Sequence, residues 1–171
     1  MVTFVDGDLL DLRGVDAFAH QVNCLCVKPH GLSKQIADKY PWADIYSKRR
    51  SEGQRNLAVV EDRGVPGTIK IFKSPTSQSP DVVCFLSQWD FGSTEQSWRR
   101  IPPHEDTTEN RLVWFRQCFQ QLRTVDIKTL GLPYRMGCGL AGGDWTLYFK
   151  VINDFAEQSG MKIIIVKPCM S

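Results

Sequence analysis

The sequence predicts an α/β domain in which helices cover both faces of a mixed or mostly parallel sheet, a three-layer α/β/α arrangement. Two observations carry this prediction. Short apolar runs of strand length alternate with amphipathic helical patterns through much of the 171-residue chain. No internal repeat, low-complexity tract or linker-like segment interrupts this alternation. We therefore expect residues 1–171 to form one domain.

Six segments have the composition of strands. The segment 68–72 alternates between apolar and polar residues, as a half-buried strand does. The segment 82–86 is continuously apolar, which is typical of a central strand covered on both faces. The predicted strands are residues 2–5, 17–22, 68–72, 82–86, 129–133 and 162–166.

Helical patterns occupy the intervals between these strands. A helix is predicted after Gly31, where Leu32, Ile36, Ala37 and Tyr40 share one face. Residues 42–50 predict a second short helix beyond Pro41.

Two longer helices are predicted in the second half of the chain. Asp106 and Glu109 have the spacing of a capping box, which predicts a helix from about residue 106. A further helix is expected from about residue 145 to 158, ending at Gly160. The segment 87–107 is too long for a simple connector and indicates a functional loop.

Composition restricts the classes of partner. The formal net charge is +2, which requires neither a nucleic-acid polymer nor a membrane as partner. The six cysteines lie mostly in apolar or glycine-rich surroundings, and Cys24 with Cys26 lacks zinc-site spacing. No N-terminal segment has the pattern of a signal peptide. We expect a reduced, intracellular protein of the cytoplasm, with the nucleus also open to it, and neither a metal nor a cofactor.

The sharpest motif is a glycine loop that leads into the last predicted helix. It matches G-x-G-x-x-G and consists of Gly137, Cys138, Gly139, Leu140, Ala141 and Gly142. Glycines allow successive amide N–H groups to surround a phosphate, and the following helix adds the positive end of its dipole. A tight turn capped by Asp144 is the alternative, but four glycines in seven residues exceed what a cap needs. A Rossmann site is excluded because only one helix and one strand follow the loop.

Polar residues after the first two strands are weaker candidates. Asn23 ends the second strand and is suited either to binding sugar hydroxyls or to turning the chain. His30 is either a general acid or base or an exposed loop residue, and His20 in mid-strand has the pattern of a core residue. Asp8 after the first strand is suited to binding an adenine amino group or to capping a turn.

Taken in order, these motifs resemble those of the macrodomain family. The resemblance rests on Gly7-Asp8-Leu9, the segment 19–24, Gly31-Leu32-Ser33 and Gly137-Cys138-Gly139-Leu140, and it spans nearly the whole chain. The segment 132–140 is most similar to the branch containing ADP-ribose 1''-phosphate phosphatases and terminal ADP-ribose glycohydrolases.

The resemblance implies an ADP-ribose site and a role for each motif. Asp8 would bind the adenine amino group with the Leu9 amide nearby, and Asn23 would hold the distal ribose. The glycine loop 137–142 would wrap the diphosphate, and Gly31-Leu32 would approach it from the other side. The partner implied is therefore ADP-ribose or an ADP-ribosylated substrate.

The sequence also departs from that branch. Gln88 stands where the terminal glycohydrolases carry a lysine nucleophile, and glutamine cannot form a Schiff base. Ala141 replaces an aspartate found in some relatives, and residues 27–30 replace a usually glycine-rich loop with a glycine-poor one.

Three functions follow as hypotheses. The first is hydrolysis of ADP-ribose 1''-phosphate or of an ADP-ribosylated target, with Asp144, Asp90 and His30 as candidate catalytic groups. The second is a reader module that binds ADP-ribose without turnover. The third, an RNA-associated module, rests on the basic clusters Lys48-Arg49-Arg50 and Trp98-Arg99-Arg100 and is less favoured than solvated charge.

Overall fold

A computed structural model describes residues 1–95 and 99–169. The strands are β1 (Val2–Asp6), β2 (Ala17–Asn23), β3 (Thr68–Phe72), β4 (Asp81–Gln88), β5 (Thr129–Pro133) and β6 (Lys162–Lys167). The α-helices are α1 (Gly31–Lys39), α2 (Thr108–Leu122) and α3 (Trp145–Ser159).

The strands form one mixed sheet in the order β1-β6-β5-β2-β4-β3. Only β3, at one edge, runs antiparallel to its neighbour; the other neighbouring pairs are parallel. Side chains of α2 and α3 pack on one face, whereas Ile36 of α1 belongs to the apolar cluster on the other face. The predicted three-layer α/β/α fold is confirmed.

Apolar residues of the predicted strands and helices form the core between these layers. Phe85 of β4 and Phe119 of α2 are buried, and their rings meet edge to face at a centroid distance of 4.9 Å. Tyr148 and Ile152 bring α3 into the same cluster. The continuous apolar run of β4 is therefore explained by burial on both faces.

The sheet opens where β2 and β5 lie side by side. Their ladder covers only Ala17 with Leu130 and Phe18 with Gly131. Beyond that point the two strands separate toward their carboxyl ends, so His20 to Asn23 have no partner on β5. In α/β sheets, ligands bind in crevices at such carboxyl ends.

One helix prediction is wrong, and one predicted helix has a different cap. Residues 42–50 form only a 3-10 turn, Pro41–Ala43, followed by turns, because Asp44 accepts hydrogen bonds from the amides of Tyr46 and Ser47. Helix α2 is capped by Thr107, whose Oγ1 accepts from the Asn110 amide.

The predicted Asp106–Glu109 capping box is absent because Asp106 pairs with a buried arginine of the same helix. The Nε atom of Arg111 donates to Asp106 Oδ1 at 2.6 Å, and its Nη2 donates to Oδ2 at 2.7 Å. An ion pair that depends on tertiary burial therefore overrides the local capping pattern.

Five of the six cysteines are free and buried, and Cys169 is exposed. Within residues 1–95 and 99–169, no group of three or more histidine, cysteine or acidic side chains is placed to hold a metal ion. Over the same residues, no helix combines the length and the apolar character needed to cross a bilayer.

Candidate functional site

A cleft of about 350 Å³ lies where β2 and β5 separate. Its volume falls within the range of small-molecule sites. The lining residues are His20, Gln21, Asn23, His30, Gly31, Leu32, Ser33, Tyr46, Gln88, Phe91, Gly92, Pro133, Tyr134, Arg135, Met136, Gly137, Gly139, Leu140 and Ala141.

One wall of the cleft is the first turn of α1. Gly31 opens the helix with a φ of 55°, a left-handed conformation that favours glycine. The N–H groups of a first helical turn lack partners within the helix, so the amides of Gly31, Leu32 and Ser33 are available to an acceptor in the cleft. His30, the N-cap residue, makes no side-chain cap bond and is exposed on the same wall.

The opposite wall is the glycine loop. Its fold commits the Cys138 amide to the Arg135 carbonyl and the Gly142 amide to the Gly139 carbonyl. Gly139, Leu140 and Ala141 line the cleft between these bonds. The loop thus forms a tight turn whose middle residues lie on the cleft.

Two members of the predicted ligand-binding loop lie elsewhere. The Cys138 side chain is 7% exposed and belongs to the core, and Gly142 stands against Ser93 instead of the cleft. The prediction for these two residues is corrected, because the tight turn directs them away from the cleft.

The glycines of the loop serve different purposes. A Cβ at Gly137, where φ is 79°, would lie 2.6 Å from the ring of Tyr148, so packing alone requires glycine there. A Cβ at Gly139 would meet nothing within 4 Å. Of Gly137 and Gly139, therefore, the second alone has open space where a side chain would stand.

The floor of the cleft is a polar network between β2 and β4. Gln21 donates from Nε2 to Oε1 of Gln88 at 2.8 Å, and its own Oε1 accepts from the Ser87 hydroxyl. Gln88 donates in turn to the Gly92 carbonyl. Both ends of the Gln88 amide, at the end of β4, are therefore already bonded.

Asn23 lines the cleft, and its side-chain carbonyl is already hydrogen-bonded. Its Oδ1 accepts from the amides of Leu25 at 3.2 Å and Cys26 at 2.8 Å, which turns the chain after β2. The Asn23 carbonyl therefore turns the chain, which is one of the two roles considered for this residue.

Asp8 and Leu9 lie outside the lining of the cleft, at the end of β1. The Asp8 carboxylate accepts from the Leu10 amide at 2.9 Å and caps the short turn Leu9–Asp11, while the side chain remains exposed. Leu9 is buried.

Two of the three candidate catalytic residues also lie outside the cleft lining. Asp90 is 2% exposed and forms an ion pair with Arg99, whose Nη2 lies 2.6 Å from its Oδ1. Asp144 caps α3 by accepting from the Thr146 amide. Their expected catalytic positions are corrected because both carboxylates hold backbone or ion-pair partners; His30 alone of the three reaches the cleft.

Two residues of the cleft, Arg135 and Phe91, belong to no local sequence pattern that predicts a place in the site. Arg135 lines the cleft with an exposed side chain and a φ of 59°, which is unusual for a residue with a Cβ. Phe91 also lines the cleft; the residue is 41% exposed, and the Arg99 guanidinium lies over its ring. These positions depend on how the loops fold against each other.

Arg111 joins the two loops that flank the cleft. The side chain is 2% exposed and donates to the carbonyl oxygens of Asp90 at 3.1 Å, Gly92 at 2.7 Å and Ala141 at 3.2 Å, besides its pair with Asp106. It therefore fixes the glycine loop relative to the segment that follows β4.

Known structures with the same arrangement identify the fold. The macrodomain of Mycobacterium tuberculosis DarG superposes with a TM-score of 0.70 at 20% identity and covers 99% of each chain. The chain has a macrodomain fold. No protein-family profile and no curated protein matches the sequence.

Two further similar structures contain ADP-ribose. Thermosipho africanus DarTG in complex with ADP-ribose has a TM-score of 0.62 at 17% identity, covering 97% of this chain and 42% of that one. The Trypanosoma brucei macrodomain in complex with ADP-ribose has a TM-score of 0.58 at 13% identity, covering 96% of this chain and 63% of that one.

The arginines of the basic clusters mostly have partners within the fold. Arg49 is 8% exposed and donates to the Cys26 carbonyl, Arg50 pairs with Asp62, and Arg99 pairs with Asp90. Trp98 lies outside the described residues. These contacts favour a structural reading of both clusters over RNA binding.

Proposed function

We propose that the cleft binds ADP-ribose, with the diphosphate held between the first turn of α1 and the glycine loop. The observation that carries this proposal is the pair of opposed backbone walls, Gly31 to Ser33 on one side and Gly139 to Ala141 on the other. Backbone N–H groups at a helix N-terminus and in a glycine-rich turn are suited to phosphate oxygens.

The charge on the cleft supports an anionic ligand. Among the described residues that line it, Arg135 carries a positive charge and none is aspartate or glutamate. Asn23, which also lines the cleft, would face the distal ribose. The adenosine would extend along the carboxyl edge of the sheet toward the exposed carboxylate of Asp8. Two structures of similar fold contain ADP-ribose, which supports the same ligand.

We further propose that the protein hydrolyses an ADP-ribose derivative, either the 1''-phosphate or an ADP-ribosyl group on a target. His30 is the general acid or base of this proposal, because it is exposed on the cleft and is not used as a cap. The phosphatase and glycohydrolase reactions differ in the bond broken, so each substrate is assayed separately.

A reader function is the second candidate, and Gln88 favours it. The resemblance to the glycohydrolase branch aligns this side chain with the nucleophilic lysine, and the structure bonds it at both ends, to Gln21 and Gly92. In that case the cleft would bind ADP-ribose and release it unchanged.

Calorimetry and turnover assays test these proposals in order. We expect saturable 1:1 binding of ADP-ribose and no binding of free ribose. We expect His30→Ala to retain binding and to lose most of the turnover of one substrate. Binding without turnover of either substrate supports the reader function, and a wild-type protein that does not bind ADP-ribose contradicts both.

A further inference from the structure

A buried chain of three side chains ends at the wall of the cleft. The Nε2 atom of His20 lies 3.4 Å from Sγ of Cys84, and its Nδ1 lies 3.0 Å from Oγ of Ser33. Cys84 is fully buried and His20 is 3% exposed, whereas Ser33 lines the cleft in the first turn of α1. The chain connects β4 through β2 to the helix turn that faces the proposed diphosphate.

The protonation states of His20 and Cys84 follow from their burial. Desolvation lowers the pKa of His20 to about 4, so the imidazole is neutral at neutral pH. Desolvation raises the pKa of Cys84 to about 12, so the thiol keeps its proton. A neutral imidazole has one N–H and one lone pair, which leaves two alignments.

The two alignments give Ser33 opposite roles. If the Cys84 thiol donates to Nε2, then Nδ1–H donates to Ser33 and the serine hydroxyl is free to donate into the cleft. If the alignment is reversed, the serine hydroxyl donates to Nδ1 and offers only its lone pairs to the cleft. A phosphoryl oxygen accepts hydrogen bonds and cannot donate them. A phosphoryl ligand in the cleft would therefore select the first alignment, in which the Ser33 hydroxyl donates to it.

We propose that Ser33 is an anion-binding residue of the cleft and that His20 is its positioning residue, which turns the serine hydroxyl toward a phosphoryl oxygen of the ligand. This inference rests on the proposed ADP-ribose function, which supplies the phosphoryl group. The Ser33 hydroxyl adds one side-chain donor to the backbone donors of the same helical turn.

The same geometry argues against Ser33 as a nucleophile. Activation of the hydroxyl would require His20 to take up its proton and become an imidazolium. Complete burial disfavours that charged form, since no carboxylate among the described residues is bonded to the imidazole. Ser33 therefore binds and does not attack.

Calorimetry with ADP-ribose on three variants tests the proposal. We expect Ser33→Ala to weaken ADP-ribose binding about ten- to hundredfold, the effect of losing a hydrogen bond to a charged group. Ser33→Thr, which keeps the hydroxyl, should stay within a few-fold of wild type. Ser77→Ala, an exposed serine between β3 and β4, is the matched control and should change nothing.

The outcomes separate this proposal from the proposed function. Wild-type binding with an unchanged Ser33→Ala affinity overturns the role of Ser33 and leaves the ADP-ribose function intact. A wild-type protein that does not bind ADP-ribose overturns both.

A second measurement reads the alignment directly and needs no variant. Long-range proton–nitrogen NMR of histidine-labelled protein distinguishes the two imidazole tautomers. We expect His20 to carry its proton on Nδ1 in the ADP-ribose complex. A proton on Nε2 in that complex would mean that Ser33 donates to His20, which overturns the proposal.

Discussion

The Arg111 guanidinium on α2 donates a hydrogen bond of 3.2 Å to the carbonyl oxygen of Ala141 in the glycine loop. The same Nη1 atom donates to the Gly92 carbonyl at 2.7 Å. One buried side chain thus holds both loops at the mouth of the cleft. Affinity for the ligand should therefore depend on a residue that does not line the cleft.

Removal of this guanidinium should be costly. Arg111→Met leaves the buried carboxylate of Asp106 without its partner, so we expect a loss of about 3–5 kcal/mol in unfolding free energy. Arg111→Lys keeps the positive charge but loses the planar set of guanidinium donors. This variant should fold and should bind ADP-ribose more weakly. Arg116→Met, at an exposed position of the same helix, is the control. Equal urea midpoints for Arg111→Met and Arg116→Met would contradict this account.

Two glycines of the loop, Gly137 and Gly139, should separate effects on folding from effects on binding. Gly137→Ala forces a left-handed conformation on a residue with a Cβ and a contact with Tyr148, at a cost of about 1–3 kcal/mol. Gly139→Val has open space in front of it, so its thermal midpoint should stay close to wild type while ADP-ribose binding is lost. Thermal denaturation and calorimetry on both variants check this. Normal binding by Gly139→Val would place the ligand elsewhere.

Stability should fall in mildly acidic solution because of His20. Burial lowers the folded-state pKa of His20 to about 4, below the ordinary value of 6.5. Between these values the unfolded chain binds a proton that the folded protein excludes, so stability is lost as pH falls through this window. The shift in pKa corresponds to about 3 kcal/mol. Urea denaturation from pH 7.5 to 4.5 should show this loss of unfolding free energy in wild type. The His20→Asn variant should lack the part of the loss that comes from protonation of His20. Parallel pH profiles for the two proteins would refute the assignment.

Thiol chemistry should report the burial of the cysteines. Burial raises the pKa of Cys24, Cys84 and Cys138 to about 12, which leaves almost no thiolate at neutral pH. Cys169 is exposed. Native protein treated with iodoacetamide should therefore be alkylated at Cys169 alone, and denatured protein at all six cysteines, as read by peptide mass spectrometry. Rapid labelling of Cys138 in native protein would contradict its place in the core.

The sequence predicts the layers of the fold well because local patterns determine them. The apolar run at 82–86 and the glycine at 160 identify β4 and the end of α3 without reference to the rest of the chain. The Asp144 cap, the alternative considered for the end of the glycine loop, is formed as well. These features depend on neighbours within a few residues.

The site is harder to predict because its residues meet across long separations. Asp106 has a capping pattern, but its carboxylate pairs with Arg111 inside the fold. Asp90 is a candidate base in the sequence, but in the fold its carboxylate forms an ion pair with Arg99. The contact of Ser33 with His20 joins a helix to a strand, and no sequence pattern predicts this contact.

A crystal structure of the protein with ADP-ribose tests the central claim most directly. We predict that the diphosphate lies between the first turn of α1 and residues 139–141, with the Ser33 hydroxyl within hydrogen-bond distance of a phosphoryl oxygen. Nucleotide bound at another surface, or a cleft that stays empty at saturating ADP-ribose, would contradict the account.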